Sequence, residues 1–87
     1  MSPELETLDQ LMGGDLPLAI VRGFFDDDSR FTRALLAMLD AGEVRLLATD
    51  GTELPRWRWR QVLSAAVGET DNTGALLSVT EAGARRA

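Results

Sequence analysis

The sequence predicts a single α+β domain over residues 1–87. We expect a three-helix core, a small antiparallel β-hairpin and an extra helix in the connection between the two strands. Two observations carry this prediction. Apolar residues in the first half recur at the three- and four-residue spacing of buried helix faces. Two short segments with a strand pattern, 43–49 and 75–80, come after these helices. A chain of 87 residues suits one domain, and an apolar share of 45% is enough for its core.

The first helix is predicted to begin at Pro3, because Ser2 can cap it and a proline in the first position loses no hydrogen bond. Its apolar face repeats at helical spacing and contains Leu5, Leu8, Leu11 and Met12. The glycine pair at 13–14 ends it. A second, short helix is predicted to start within residues 15–17, with Pro17 in its first turn. Its apolar residues are Leu18, Ile20, Val21, Phe24 and Phe25.

The third helix has the clearest pattern. The acidic run 26–28, followed by Ser29, predicts a turn and an N-cap, since side-chain oxygens there accept hydrogen bonds from free N–H groups. The buried stripe that follows, at i, i+4, i+7 and i+8, contains Phe31, Leu35, Met38 and Leu39. Gly42 is a C-terminal stop. Residues 43–49 then indicate a strand, and the Asp-Gly pair at 50–51 indicates a turn.

Two interpretations of residues 55–67 stay open. In the first, Pro55 opens a helix. Its buried face would contain Trp59, Val62, Leu63, Ala66 and Val67. In the second, residues 56–60 (RWRWR) alternate as a strand. The helix is favoured because its pattern continues to Val67, whereas the alternation stops at Gln61. The rest of the chain is predicted as a polar loop over 68–74, a strand over 75–80 and a terminal helix over 81–87.

The residue types that are missing exclude most catalytic chemistry. The chain has no Cys, His, Tyr or Lys, so all nine basic residues are Arg. Thiolate nucleophiles, zinc–thiolate sites, imidazole bases and Schiff-base lysines are therefore excluded. Carboxylates, Arg, Ser and Thr remain as reactive groups, and no motif for a cofactor or a metal accompanies them. We expect a protein that is not an enzyme and needs neither a cofactor nor a metal ion.

The net charge of −5 is unevenly distributed. Residues 1–54 contain four Arg and eleven acidic residues, a net charge of −7, and residues 55–87 contain five Arg and three acidic residues, a net charge of +2. The first part is expected to repel nucleic acid, whereas the second need not. No apolar run approaches the roughly 20 residues of a membrane span. The N-terminus lacks the basic start of a signal peptide, so we expect a cytoplasmic location.

Three stretches carry a resemblance to known proteins. They are residues 28–36 (DSRFTRALL), 38–45 (MLDAGEVR) and 77–85 (LSVTEAGAR). Together they resemble the winged helix-turn-helix superfamily, in particular MarR-like regulators. There the three stretches correspond to the start of the recognition helix, the helix-to-strand junction and the strand that closes the wing. The resemblance implies a winged helix, a fold whose commonest use is DNA binding. The connection at about 50–74 is longer than a simple wing, so we expect it to carry a helix.

The Arg-Trp segment, residues 56–60, is the most unusual local sequence. Trp and Arg are enriched at the centres of protein interfaces. The candidate partner-binding residues are accordingly Arg56, Trp57, Arg58 and Arg60. The same segment could grip a nucleic-acid backbone and stack bases on its indoles. In a third interpretation Trp59 lies in the core and Trp57 is partly covered, while the arginines lie over it and pair with acids of the chain.

Arg30 and Arg33 are candidates for nucleic-acid contact, because they lie off the buried stripe at the exposed start of the third helix. Two arginines hold phosphates weakly, and the acidic run at 26–28 would repel the same phosphates. A solvated face and a protein contact therefore stay open as well. The acidic run is expected to cap the helix. Three consecutive acids do not match the alternating ligands of a calcium loop.

The sequence thus predicts a small binding module of the winged-helix type that acts as a regulator or adaptor through protein contacts. The alternative is a DNA-binding transcriptional regulator, which the acidity of the chain disfavours. The first helix carries more apolar residues than a minimal three-helix domain must bury. A homodimer through this helix and a monomer both stay open.

Overall fold

A computed structural model of the chain describes residues 2–67 and 74–86, which form an α+β fold of five helices and a three-stranded sheet. The helices are α1 (Pro3–Leu11), α2 (Leu18–Arg22), α3 (Asp28–Asp40), α4 (Arg56–Ala66) and α5 (Glu81–Arg86). The strands are β1 (Leu16–Pro17), β2 (Val44–Leu47) and β3 (Leu76–Val79). The predicted α+β class is confirmed. The predicted polar loop lies outside the described residues except for Gly74, and so does Ala87 at the end of the predicted terminal helix.

The sheet is antiparallel, with β3 between β1 and β2. Leu77 of β3 lies opposite Leu46 of β2 on one side and opposite Leu16 of β1 on the other. The predicted pairing of segments 43–49 and 75–80 is therefore confirmed, with four paired residues in each strand. The third strand, β1, extends the predicted two-stranded hairpin to a three-stranded sheet.

The predicted helix start at residues 15–17 is wrong, because Leu16 and Pro17 form β1. Pro17 has extended backbone angles, φ −61° and ψ 145°, and is the N-cap of α2 rather than part of its first turn. A proline suits an edge strand, since it has no N–H to donate. Leu18 donates its N–H to the carbonyl oxygen of Ala75 at 3.1 Å, which ties this bend to the sheet.

The second helix is also shorter than predicted. It ends at Arg22, so Phe24 and Phe25 lie beyond it. Phe25 is buried and meets the ring of Phe31 edge to face, with centroids 5.7 Å apart. Such a contact contributes about 0.5–1.5 kcal/mol beyond the area that it buries.

The cap predicted for α3 is confirmed. Asp27 is the N-cap and its side chain accepts a hydrogen bond from the Arg30 N–H at 2.7 Å. All four residues of the predicted stripe on α3 are buried. At the other end Gly42 has φ +76°, and the Glu43 N–H donates to the Met38 carbonyl oxygen at 3.0 Å. This left-handed glycine stop turns the chain from α3 directly into β2.

The apolar face of α1 is only partly buried as predicted. Leu8 and Leu11 lie in the core and Leu5 is half-buried against it, but Met12 is 55% exposed. Met12 is the C-cap residue that follows the last residue of α1. The Ser2 cap is confirmed, since its Oγ accepts from the Leu5 N–H at 3.2 Å.

Residues 56–66 form a helix, so the strand interpretation of the Arg-Trp segment is wrong. Val62, Leu63 and Ala66 of α4 are buried, while Trp59 and Val67 are half-buried at the edge of the same face. The helix packs against α2 and α3. The predicted helix in the connection between β2 and β3 is thereby confirmed. No helix within residues 2–67 and 74–86 is both long and apolar enough to cross a bilayer.

The turn between β3 and α5 is joined to the α3–β2 junction by several polar contacts. The Thr80 N–H donates to the Glu43 carbonyl oxygen at 3.0 Å, and the Thr80 hydroxyl donates to the Gly42 carbonyl oxygen at 2.5 Å. Arg86 donates to both carboxylate oxygens of Glu43, at 2.6 and 2.7 Å. These hydrogen bonds, together with the negative charge of Glu43, raise the pKa of Arg86 above its ordinary value.

Gly83 allows α5 to approach this junction. A Cβ at this position would collide with the Glu43 carbonyl oxygen and lie 2.9 Å from Cγ2 of Val79. We expect Gly83→Ala to lower the free energy of unfolding by about 1–3 kcal/mol, the usual cost of overpacking. Urea denaturation followed by circular dichroism measures this loss. Gly13→Ala is the matched control, because its Cβ would have the Gln10 carbonyl oxygen as nearest neighbour at an ordinary 3.5 Å. Equal stability of the two variants would contradict the close packing of α5.

Candidate partner-binding surface on helices α3 and α4

The Arg-Trp segment forms about the first turn and a half of α4. Its five side chains are therefore distributed around the helix, whereas in a strand they would alternate between two faces. Trp57 is 75% exposed. It is therefore less covered than the third sequence interpretation predicted. Helical rotation explains this, because Trp57 lies almost opposite the buried residues Val62 and Ala66 on a helix of 3.6 residues per turn. An indole exposed to this degree leaves a large apolar area in contact with water.

Trp59 lies at the boundary between the core and the surface. Its ring is half-buried against the core, and its Nε1–H donates to the Leu54 carbonyl oxygen at 3.3 Å. The guanidinium of Arg56 lies over the ring, 5.5 Å from its centroid. Trp59 therefore packs against the core as predicted but is not fully buried.

Arg58, the next residue along α4, contacts Trp57. Its guanidinium lies 5.4 Å from the centroid of the Trp57 ring, which is a cation–π distance. The Arg58 Nε is buried and has no hydrogen-bond partner. Arg58 and Trp57 thus restrict each other. A Trp that is already ordered loses less conformational entropy when a partner covers it.

The arginines differ in whether a carboxylate neutralises them. Arg56 pairs with Asp40, and Arg30 pairs with Asp26 at 3.7 Å. The described residues place no carboxylate within 4.0 Å of Arg33 or Arg60. The predicted pairing of the Arg-Trp segment with acids is therefore confirmed for Arg56 and wrong for Arg58 and Arg60, which have no ion pair among the described residues.

A groove between α3 and α4 brings together residues from both predicted sites. It consists of two adjoining hollows of about 370 Å³ each, which share Leu36 and Arg60. We call this feature the α3–α4 groove. Its lining residues are Asp28, Ser29, Thr32, Arg33, Leu36, Ala37, Asp40, Arg56, Trp59 and Arg60. The sequence placed Arg33 and Arg60 in separate candidate sites, whereas the fold places them along one depression.

Trp57 does not line the α3–α4 groove but stands on the outer face of α4 beside it. Residues three apart on a helix are surface neighbours, so Trp57 adjoins Arg60. A partner that covers Trp57 and continues over Arg60 therefore reaches the groove.

A second, wider hollow of about 690 Å³ lies on the other flank of α3. Arg30 and Arg33 line it together with Glu4 of α1 and Arg86 of α5. Both arginines are on the surface as predicted, and Arg33 borders the hollows on both flanks. Three of the six charged residues that line the second hollow are in ion pairs, since Arg30 contacts Asp26 and Arg86 contacts Glu43.

The acidic run before α3 is engaged in local contacts. Asp27 caps the helix, Asp28 pairs with Arg22 at 2.5 Å, and Asp26 pairs with Arg30. Within the described part of the chain, no three acidic residues are grouped as metal ligands. The capping function predicted for this run is confirmed.

Comparison with other proteins does not add to this picture. The chain matches no family profile, no curated protein and no solved structure. The candidate surface therefore rests on its own geometry.

Sequence reasoning missed Leu36 and Thr32 as members of the site. Leu36 carried a usable signal, since it is an apolar residue outside the buried stripe of α3. Thr32 carried none, because a hydroxyl on a polar helix face is common. Their grouping depends on where α4 packs, which no local pattern specifies.

The different environments of the two tryptophans are directly measurable. The chain has only these two, so Trp57→Phe leaves Trp59 as the sole indole and Trp59→Phe leaves Trp57. We expect stronger acrylamide quenching and red-shifted emission when Trp57 remains. Trp59→Phe should also lower the free energy of unfolding by about 0.5–1.5 kcal/mol through loss of its hydrogen bond. Trp57→Phe should change it by less than about 0.5 kcal/mol. Equal quenching of the two would contradict the exposure described above.

Proposed function

We propose that this chain is a non-catalytic binding module of the winged-helix type, a regulator or adaptor that contacts another protein through Arg56, Trp57, Arg58 and Arg60. The observation that carries the proposal is the 75% exposure of Trp57, held in place by the guanidinium of Arg58. Exposed Trp beside Arg is the composition of interface hot spots, where truncation to Ala costs at least about 2 kcal/mol of binding free energy.

Topology supports the winged-helix part of the proposal. The order α1, β1, α2, α3, β2, β3 is that of a three-helix core closed by an antiparallel sheet, with α4 inserted before the last strand. The three stretches that resemble MarR-like regulators fall on the start of α3, on the α3–β2 junction and on β3 with α5. Function does not follow from fold alone, so the surface residues must carry the functional part.

Charge favours a protein partner over nucleic acid. The chain has a net charge of −5, and three consecutive Asp, at 26–28, lie immediately before and at the exposed start of α3. Arg30, which lies at that start, is close to Asp26. A polyanion would meet these carboxylates at the place where a recognition helix needs positive charge.

Affinity capture tests the proposal. Wild-type protein and the variants Trp57→Ala and Gln10→Ala are immobilised and exposed to lysate of the source cells, and retained proteins are quantified by mass spectrometry. Gln10 is the control because it is exposed on α1, which packs on α5 and β3. We expect at least one protein retained by wild type and Gln10→Ala and reduced about 30-fold or more by Trp57→Ala, the equivalent of about 2 kcal/mol. If every retained protein is indifferent to Trp57, the proposal is wrong.

A DNA-binding regulator is the second candidate function, and the observation that favours it is that Arg33 has no ion pair with any described residue. Fluorescence anisotropy with a labelled generic duplex, at low and at moderate salt, separates the two candidates. Our proposal predicts no salt-sensitive binding at micromolar protein. Binding that weakens steeply with salt and with Arg30→Ala and Arg33→Ala would favour the regulator, because it reports released counterions at phosphate contacts.

A further inference from the structure

Unpaired positive charge is concentrated at one place on this acidic protein. Five of its nine arginines contact a carboxylate: Arg22, Arg30, Arg56, Arg85 and Arg86. Of the other four, Arg58 lies over Trp57. Arg33, Arg45 and Arg60 have neither contact within the described residues, and two of these three line the α3–α4 groove. An acidic chain that leaves two cations free in the same groove presents a site complementary to negative charge.

The groove also offers an apolar contact. Leu36 is half-buried at the junction of its two hollows, and the half-buried ring of Trp59 lines one of them. Leu36 lies between Arg33 and Asp40 along the exposed side of α3. A ligand that pairs with the two free arginines therefore also covers apolar surface.

The ends of the groove limit the length of an anionic ligand. Asp28 lies at one end and Asp40 at the other. Each is already neutralised, by Arg22 and Arg56 respectively. The unpaired positive charge of Arg33 and Arg60 therefore lies in the middle of the groove. Beyond Asp28 the chain continues into Asp27 and Asp26, which a long polyanion such as nucleic acid would have to pass. A short acidic segment stops before them.

We infer that the α3–α4 groove docks a short acidic, amphipathic segment of a partner protein. Its carboxylates pair with Arg33 and Arg60, and an apolar side chain lies against Leu36 and Trp59. This inference rests on the proposed function and names the chemistry of its partner. Trp57 adjoins Arg60 on α4, so the same partner can cover the exposed indole and enter the groove.

The test uses a fluorescein-labelled peptide of about 12 residues that repeats Glu-Glu-Leu-Ala, which spans about 18 Å as a helix and matches the length of α3. A second probe has every Glu replaced by Gln. We expect micromolar binding of the first probe and at least tenfold weaker binding of the second. Arg33→Gln and Arg60→Gln should each weaken the acidic probe about fivefold, as expected for loss of one charge-assisted contact.

Arg45→Gln is the matched control. Arg45 is an exposed arginine without an ion pair, lies on β2 outside the groove, and its substitution changes the net charge equally. We expect this variant to bind the acidic probe within about twofold of wild type, since only long-range attraction changes. In ¹⁵N-labelled protein, the Nε–Hε signals of Arg33 and Arg60 should shift on addition of the probe while that of Arg45 stays in place.

Four results would overturn the inference. The first is that the Gln probe binds as tightly as the acidic probe, and the second is that Arg45→Gln weakens binding as much as Arg33→Gln or Arg60→Gln does. The third is that a DNA duplex displaces the acidic probe at a lower concentration than the unlabelled peptide does. The fourth is that light scattering shows a dimer that depends on Arg33. The last would identify a second copy of the chain as the occupant. Capture that depends on Trp57 while the acidic probe fails to bind would reject the groove and leave the proposed function standing. Binding of the acidic probe without capture of any Trp57-dependent partner would reject the proposed function and leave the groove as a site for acidic segments.

Discussion

The rest of the structure depends on strand β3, because β1 and β2 both pair with it and lie on opposite sides of it. Leu77 is fully buried at its centre, between Leu16 and Leu46. Immediately after the strand, Thr80 bonds to the Gly42 and Glu43 carbonyl oxygens and so fixes the end of α3. A segment near the end of the chain thus holds the entry to α2 and the exit from α3 together.

This arrangement also determines the position of α4. The connection 48–75 leaves β2 and must return to its neighbour β3, so the helix within it has to pack on the same domain. Val62, Leu63 and Ala66 bury one face of that helix against α2 and α3. The opposite face carries Trp57 outward. The groove beside α3 and the exposed indole are therefore two consequences of one packed helix.

Local pattern was sufficient to predict the parts of the fold that local interactions determine. The stripe on α3, the Ser2 and Asp27 caps and the helix at 56–66 follow from spacing and capping chemistry. Strand β1 did not follow, because two residues carry no periodicity and exist as a strand only through pairing with β3. The sequence identified the individual candidate residues, but it did not predict that Arg33 and Arg60 lie in the same groove. The proximity of Arg33 to Arg60 depends on packing between segments that lie far apart in sequence.

The same packing bears on the choice between protein and nucleic acid. A recognition helix reads DNA by entering the major groove with its exposed face. Here α4 lies along one flank of α3, and Glu4 and Arg86 border the hollow on the other flank. Arg33 therefore lies between the α3–α4 groove and the second hollow, and carboxylates line both. Positive charge in a short groove is suited to a few carboxylates on a chain that can follow its contour, whereas a rigid duplex needs positive charge across a wider surface. For this reason we propose an acidic segment of protein, rather than a duplex, as the ligand of this surface.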